Sequence, residues 1–139
     1  MLFVGGGIGV TPLHAAFRGL LGLRLAGALP DCCSSVRLVW TVRHPHMLTL
    51  FRDTWEAVGS APGFSFGAWA DDGGEKGDGG VSFRPGRPDL RAEVAALAAR
   101  PGPNGRKLVF VCHVPAVAAQ VSEWAQEEGL AFHSETFEL

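Results

Sequence analysis

The first twelve residues constrain the fold more than any other segment of this chain. A short apolar strand, Leu2-Phe3-Val4, runs into the turn Gly5-Gly6-Gly7-Ile8-Gly9-Val10-Thr11-Pro12, and an apolar helix follows. Glycine has no Cβ atom to keep a ligand away from the backbone, and the start of a helix offers free N–H groups to an anion. The segment therefore predicts a strand, a turn that can hold a pyrophosphate, and a helix that Thr11 caps, with Pro12 in its first turn.

The spacing of the glycines excludes the common dinucleotide fingerprint. That pattern, G-x-G-x-x-G, would place its third glycine at Val10 if counted from Gly5, or at Pro12 if counted from Gly7. A glycine-rich turn after a strand also occurs as a tight turn without any ligand. The turn by itself therefore leaves both a nucleotide site and a purely structural turn open.

Length and composition predict one globular domain. The chain has 139 residues, of which 47% are hydrophobic, enough for a packed core around a buried sheet. A net charge of -2 and the lack of a basic run exclude a typical nucleic-acid-binding protein. The apolar stretch 13–29 is interrupted by a histidine and by arginines, so it predicts a core-facing helix rather than a membrane span. Cys32, Cys33 and Cys112 fit neither a disulfide framework nor a zinc site, and we predict no bound metal.

Hydrophobic patterning predicts strands that alternate with helices along the chain. The predicted strands are 2–4, 36–42, 64–69, 107–112 and 131–136, and the predicted helices are 11–27, 47–58, 90–99 and 115–128. Residues 71–80 are rich in glycine and acidic side chains and predict a flexible surface loop. We therefore expect an α/β fold in a single domain 1–139: a three-layer, doubly wound, mostly parallel and Rossmann-like sheet of five or six strands.

The residues that suggest a site all follow predicted strands. They are the glycine turn, Arg43 after strand 36–42, the 71–80 loop, and Cys112 to Pro115 after strand 107–112. Parallel strands end on the same edge of a sheet, where such folds bind their ligands. We therefore expect these residues to meet at one rim.

Five features, in this order along the chain, resemble the C-terminal NADPH-binding lobe of the ferredoxin-NADP reductase superfamily. They are the glycine turn closed by Thr11-Pro12, Trp40-Thr41-Val42-Arg43, Gly86-Arg87-Pro88-Asp89-Leu90, Cys112, and Phe132-His133-Ser134-Glu135-Thr136-Phe137. Within that superfamily the chain is most similar to the branch of ferric-chelate reductases and NADPH oxidases. The resemblance spans practically the whole chain and implies the NADP-domain type of Rossmann-like fold.

The resemblance implies that NADPH lies across the glycine turn. The cofactor-binding residues there would be Gly5, Gly6, Gly7, Ile8, Gly9, Val10, Thr11 and Pro12. Thr11 would lie near the reacting ring. Arg43 ends a strand where an NAD-specific domain usually has an acidic residue, so its guanidinium suits the 2′-phosphate of NADP. Arg87 is a second candidate for a phosphate or adenosine contact, with a surface turn as its alternative and Arg84 as a lower-ranked substitute.

The resemblance also gives Cys112 a role beside the nicotinamide. Its sulfur would help to align C4 with a flavin without acting as a nucleophile, and a buried core cysteine is the alternative. The superfamily pattern at this point is Cys-Gly-Pro, whereas this chain has Cys112-His113-Val114-Pro115. An imidazole and an extra residue thus stand where glycine would allow close backbone approach. His113 is therefore a candidate to line the pocket and contact the diphosphate.

The C-terminal segment is expected to serve the flavin side of the site. In the superfamily an aromatic residue near the end of the chain covers the flavin ring until nicotinamide enters. Phe137 is the candidate here, with Glu135 as a polar partner near the reacting atoms, and packing of Phe137 as the last core residue is the alternative. Catalytic roles are thus implied for Thr11, Cys112, Glu135 and Phe137. The tryptophans are assigned to core packing: Trp40, Trp55, Trp69 and Trp124.

Together these residues predict the NADPH-binding domain of a flavin-dependent ferric-chelate reductase. Bound NADPH would give hydride to FAD on a separate domain, and electrons would pass singly to haem in a transmembrane domain of the same protein. This domain would lie at the cytosolic face of the membrane. The first strand begins at the second residue, so we expect part of a larger flavocytochrome that is inactive alone. The alternatives are an NADPH oxidase lobe, a soluble ferredoxin-NADP-reductase-like enzyme, and a degenerate nucleotide-binding or regulatory domain.

Overall fold

A six-stranded sheet, in which every pair of neighbouring strands is parallel, forms the centre of the molecule. The computed structural model describes residues 1–72 and 81–136. Its strands are β1 (Leu2–Gly6), β2 (Val36–Val42), β3 (Phe64–Ala70), β4 (Arg84–Pro85), β5 (Leu108–Cys112) and β6 (Ala131–Ser134). Their order across the sheet is β4-β3-β2-β1-β5-β6, so the direction of strand addition reverses between β1 and β5.

Helices cover both faces of the sheet. On one face lie α1 (Val10–Leu25) and α2 (Arg52–Val58), and on the other lie α3 (Leu90–Ala98) and α4 (Pro115–Glu127). Short 3₁₀ segments occupy Gly7–Gly9, Asp31–Cys33, Pro45–Phe51 and Asn104–Arg106. This three-layer, doubly wound arrangement confirms the predicted α/β fold class.

The central strands are apolar on both faces because helices cover both faces. In β1, Phe3 joins the core cluster under α1 and α2, while its neighbours Leu2 and Val4 join the cluster under α3 and α4. In β2, Trp40 faces the first cluster and Val39 the second. All five side chains are buried. Successive strand residues point to opposite faces, so a doubly covered sheet needs nearly continuous apolar runs.

The predicted helix 47–58 divides into two kinds of helix. The 3₁₀ segment Pro45–Phe51 comes first, and α2 follows it. In the first part the Trp55 indole donates to the carbonyl of Leu48 at 3.1 Å, and the Thr49 hydroxyl donates to another carbonyl at 2.8 Å. Side chains therefore take carbonyl groups that an α-helix would pair with its own backbone.

Strand β4 has no counterpart among the predicted strands. Its two residues extend the sheet by pairing with Trp69 and Ala70 of β3. Pro85 suits an edge strand, because a proline has no N–H to donate to a further strand. Two residues are too few for a periodic pattern, so the pairing exists only through the tertiary structure.

The segment after β3 begins the predicted loop 71–80. The N–H of Asp71 donates to the carbonyl of Val42, and the N–H of Asp72 donates to the carbonyl of Arg43. The remainder of that loop, residues 73–80, lies outside the described residues, as does Phe137. Within the described ranges, no helix is both long enough and apolar enough to cross a membrane.

Candidate functional site

The glycine turn joins β1 to α1 through a short 3₁₀ segment. Gly9 precedes the first residue of α1, Val10, and the helix has neither a side-chain cap nor an acidic residue in its first turn. The Thr11 hydroxyl instead donates to the carbonyl of Ile8 at 2.8 Å. The prediction of Thr11 as a cap is therefore wrong, because the helix begins one residue before it. Pro12 lies in the first turn, as predicted.

Close packing explains two of the glycines. A Cβ atom on Gly9 would lie 2.6 Å from the carbonyl oxygen of Cys112, and one on Gly5 would lie 3.1 Å from the Cα of Val10. Gly7 differs, because its φ of 52° is a left-handed conformation that favours glycine and a Cβ there would meet nothing within 4 Å. The turn thus packs against the end of β5 and leaves open backbone at Gly7.

The Trp40 indole fixes this turn from the neighbouring strand. Its Nε1–H donates to the carbonyl of Gly7 at 2.9 Å, and the side chain is fully buried. The core position predicted for Trp40 is confirmed, whereas its link to the turn was not predicted. A buried tryptophan usually finds an acceptor for its N–H, so the sequence indicates that a partner exists but not which carbonyl it is.

Cys112 ends β5 beneath the glycine turn, with 1% of its surface exposed. Burial, and next the nearby Glu135 carboxylate, raise the pKa of its thiol above the usual 9.0. The thiol is therefore protonated at neutral pH, a state that does not suit a nucleophile. Glu135 is exposed, and its N–H donates to the carbonyl of Val111 at 2.9 Å. Two of the predicted catalytic residues thus lie near one another.

His113 follows Cys112 and directs its ring toward β1 and β2. A Cβ atom on Gly6 would lie 2.6 Å from the Nε2 and the Cδ2 of this ring, so the imidazole rests directly on the glycine backbone. Its Nε2 is 2.9 Å from the Thr41 hydroxyl, which lies 3.3 Å from the carbonyl oxygen of Gly5. The ring therefore bridges the ends of three strands. Thr41 was not predicted, because a threonine near a strand end carries no signal for such a contact.

The hydrogen bonds define the protonation state of this imidazole. The N–H of Val114 donates to Nδ1 at 2.8 Å, so Nδ1 carries no proton. Nε2 then carries the proton and donates to Thr41, whose hydroxyl donates to the carbonyl of Gly5. Burial, and next the positive charge of Arg87, lower the pKa of His113 below the usual 6.5. The ring is therefore uncharged at neutral pH.

Arg43 follows β2 and is exposed on the same rim. Among the described residues its guanidinium forms no ion pair. Its backbone carbonyl accepts from Asp72 at 3.2 Å, and the Asp72 carboxylate lies 2.7 Å from Nδ1 of His44. The position at a strand end is the expected one, whereas the acidic neighbour was not predicted.

Arg87, rather than Arg84, is the arginine whose charge affects His113. It is exposed, and its Nε is 3.3 Å from the carboxylate of Asp71. Its charge acts on the His113 ring, which places both on one rim. Arg84 instead lies over the Trp69 indole, 5.6 Å from the ring centre. The effect of its charge on His113 therefore favours Arg87 as the second cation of the candidate site.

A separate groove of about 400 Å³ runs between α1 and the segment that contains α2. Its lining includes His14, Leu25, Leu50 and Arg52, and none of its lining residues belongs to a strand. The glycine turn, Cys112 and the arginines meet instead at the carboxyl ends of the strands. We therefore place the candidate site at that rim.

The fold defines the class of this molecule as a doubly wound α/β domain, with a candidate site at the rim where the strand order reverses. No protein-family model and no curated protein matches the chain. The CS-b5R domains of human Ncb5or, in an NAD+ form, match with a TM-score of 0.65 and 15% identity, over 96% of this chain and 35% of that one. A flavohemoglobin from Malassezia yamatoensis with bound FAD and heme matches with a TM-score of 0.63 and 20% identity, over 99% of this chain and 31% of that one.

These similarities concern the fold. The chain spans about a third of the length of the solved chains that it matches. Together with the all-parallel sheet, they confirm the predicted doubly wound, Rossmann-like fold.

Proposed function

We propose that this domain binds NADPH and presents its nicotinamide to an FAD carried by a separate domain of the same protein. One observation carries the proposal: the glycine turn packs on Cys112 and His113 where the strand order reverses. Sheets of this kind bind nucleotides in the crevice at that point. The motifs that resemble the ferredoxin-NADP reductase superfamily, and the fold similarity to flavohemoglobin and CS-b5R domains, give further support.

The charges at the rim fit a phosphorylated dinucleotide. The N-terminus of α1 has no side-chain cap, and the backbone at Gly7 is open. Backbone N–H groups and the helix dipole stabilise phosphate in such a place. Arg43 and Arg87 would hold the 2′-phosphate and the adenosine end, because a guanidinium binds phosphate through two parallel hydrogen bonds.

In the proposed reaction, this chain positions the nicotinamide against the flavin. Bound NADPH supplies the hydride that the flavin accepts. Thr11 and the exposed Ile8 would contact the nicotinamide end, and the protonated Cys112 would align it. Glu135 would be the polar partner near the reacting atoms, and Phe137 would cover the flavin side. Fixed orientation of two rings can supply a large share of the rate, so the chain needs no nucleophile of its own.

We further assign the larger protein to the ferric-chelate reductases. Electrons would leave the FAD singly for haem in a transmembrane domain, with this domain at the cytosolic face and without turnover by itself. The resemblance of Gly86–Leu90 and of the C-terminal segment to that branch supports the assignment. An NADPH oxidase uses the same lobe with oxygen as acceptor, and a soluble ferredoxin-NADP-reductase-like enzyme uses a related one. Assays of NADPH oxidation by the full-length protein, with ferric chelate or with oxygen as the acceptor, distinguish these alternatives.

One observation favours a second function. The imidazole of His113 rests on Gly6, at the turn where the superfamily pattern has a glycine. A domain closed in this way can keep its fold and bind nucleotide for a regulatory purpose without supporting hydride transfer. Fusion of this chain to a compatible FAD domain separates the two functions. Flavin reduction by NADPH supports the reductase, and nucleotide binding without flavin reduction supports the regulatory domain.

Calorimetry with NADP+ and NAD+ tests the nucleotide proposal and the assignment of Arg43. The wild-type domain is expected to prefer NADP+, and Arg43→Gln is expected to weaken NADP+ binding by about tenfold to a hundredfold with little effect on NAD+. Arg91→Gln is the matched control, since Arg91 is exposed on α3 and pairs with Glu127. No binding of either nucleotide at millimolar concentration would overturn the proposal. Equal binding of both would overturn the role of Arg43.

A further inference from the structure

The imidazole of His113 occupies the crevice that the proposed function requires. Three of its ring atoms would lie within 2.7 Å of a Cβ atom on Gly6, so the ring and the glycine backbone are in close contact. Strand order reverses between β1 and β5, and ligands of such sheets enter there. A nucleotide that approaches Gly6 must therefore displace the ring.

Two hydrogen bonds hold the neutral ring in this place. The N–H of Val114 donates to Nδ1 at 2.8 Å, and Nε2 lies 2.9 Å from the Thr41 hydroxyl. Both ring nitrogens are satisfied only while Nδ1 carries no proton, because an imidazolium is a donor at both nitrogens. A proton on Nδ1 would face the N–H of Val114, and the two donors would repel each other. Protonation thus removes one of the two bonds that keep the ring on Gly6.

We propose that His113 is a proton-dependent stopper of the nucleotide crevice: the neutral ring closes it, and the imidazolium leaves Gly6 and pairs with a nucleotide phosphate. The proposal rests on the proposed function and names how that same site is regulated. A proton then enters the protein with each nucleotide, because the free site holds the neutral ring and the occupied site holds the cation. By linkage, nucleotide affinity must fall as the pH rises.

The groups around the ring agree with such a switch. β1 contributes only glycines at this point. Among the described residues, the ionisable groups near the ring are Arg87 after β4, Arg43 beyond Thr41 on β2, and Cys112 of β5 with Glu135 nearby. Burial and Arg87 both oppose a positive charge on the ring in the free site. A nucleotide phosphate reverses this balance, because an anion beside the ring favours the imidazolium.

Calorimetric titration with NADP+ from about pH 5.5 to about pH 8, in buffers of different ionisation enthalpy, tests the stopper. The wild-type domain is expected to lose up to about tenfold in affinity per pH unit and to take up close to one proton per nucleotide. His113→Gly is expected to bind at least about tenfold more tightly at the upper end of this range and to lose the slope, since no closed state has to be opened. His46→Gln, at an exposed histidine of the 3₁₀ segment Pro45–Phe51, is the matched control and is expected to keep the slope.

Nuclear magnetic resonance of the wild-type domain with ¹⁵N-labelled histidine gives a readout that depends on no variant. It is expected to show the Nε2–H tautomer of His113 in the free domain and a doubly protonated ring with NADP+ bound at the same pH. A repeat with NAD+ separates the titration of the 2′-phosphate from that of the ring. A slope retained in His113→Gly, or a ring that stays neutral in the complex, overturns the stopper and leaves nucleotide binding standing. If neither the wild-type domain nor His113→Gly binds nucleotide at any pH, both the proposed function and the stopper are overturned.

Discussion

Two histidines are held uncharged by this fold, in different places. His14 on α1 is 8% exposed, its Nε2 lies 2.8 Å from the Thr54 hydroxyl, and its ring stacks on that of Phe51. Burial, and next the charge of Arg18, lower its pKa. His14 thus links α1 to α2 within the core, whereas His113 links three strand ends at the rim.

Mild acid is expected to destabilise the domain through these two residues. Both have a folded-state pKa below 6.5, so below pH 6.5 the unfolded chain binds more protons than the folded one. Their contribution is therefore complete above pH 6.5 and is lost as the pH falls from there toward the folded pKa values. Urea unfolding across this range is expected to show that the free energy of unfolding declines as the pH falls. The decline per pH unit is expected to be smaller in His14→Gln. A free energy of unfolding that stays constant or rises down to about pH 5 would contradict it.

Gly9 and Gly19 are expected to respond to alanine in opposite directions. A Cβ on Gly9 would lie 2.6 Å from the carbonyl oxygen of Cys112, whereas one on Gly19, in α1, would meet nothing within 4 Å. Gly9→Ala should lower the free energy of unfolding by about 1–3 kcal/mol through overpacking. Gly19→Ala should raise it by about 0.5–1 kcal/mol, because alanine is the better helix former. Thermal unfolding measures both, and an unchanged stability of Gly9→Ala would refute the close packing of the turn on Cys112.

At the scale of elements, the sequence predicts a segment well when its own residues determine its structure. Strand β2 lies at the predicted residues 36–42, because five of its seven side chains are apolar and both faces are covered. The 3₁₀ segment Pro45–Phe51 depends instead on hydrogen bonds from the side chains of Trp55 and Thr49. Strand β4 depends on its pairing with β3. Local periodicity contains no information about such partners, so both were missed.

The same distinction holds for the candidate site. The glycine turn, Arg43 and Cys112 could be placed at strand ends, because each follows or ends a recognisable strand. Arg87 follows β4, which was not predicted. The bond between Thr41 and His113 joins residues 72 positions apart, and that between Trp40 and Gly7 joins residues 33 positions apart. Only the register of β1, β2 and β5 brings these pairs together, and the register is not visible in one sequence.

A buried lysine connects α3 to β5. The Nζ of Lys107 donates to the carbonyls of Ala98 and Arg100 at 2.7 Å and 2.5 Å, and to the side-chain oxygen of Asn104 at 2.7 Å. Lys107→Met keeps the apolar stem but leaves these acceptors unpaired, and is expected to lower the free energy of unfolding by about 2–3 kcal/mol. Arg106→Met, at an exposed neighbour, is the control, with a change within about 0.5 kcal/mol. In urea unfolding, a loss no larger than that of the control would contradict this role.

At the scale of the whole molecule, one edge of the sheet differs from the rest of the surface. The turns after β1, β2, β4 and β5 lie at this edge, and Arg43 and Arg87 lie on one side of the crevice. Ile8 and Val114, from the turns that flank the crevice, are 60% and 58% exposed. In the proposed scheme the flavin domain approaches this edge, and the apolar side chains would be covered by it. In that scheme the domain would provide the nucleotide half of a site whose flavin half belongs to another domain.

Every proposal above depends on the claim that NADPH binds at this rim, and amide chemical-shift titration of the ¹⁵N-labelled domain with NADP+ locates the binding site residue by residue. Binding at the rim predicts saturable shifts at the carboxyl ends of the strands, largest at the amides of Gly6, Gly7, Arg43 and Val114. The groove between α1 and α2 should remain unchanged. An absence of saturable shifts at millimolar NADP+, or shifts centred on that groove, would contradict the claim.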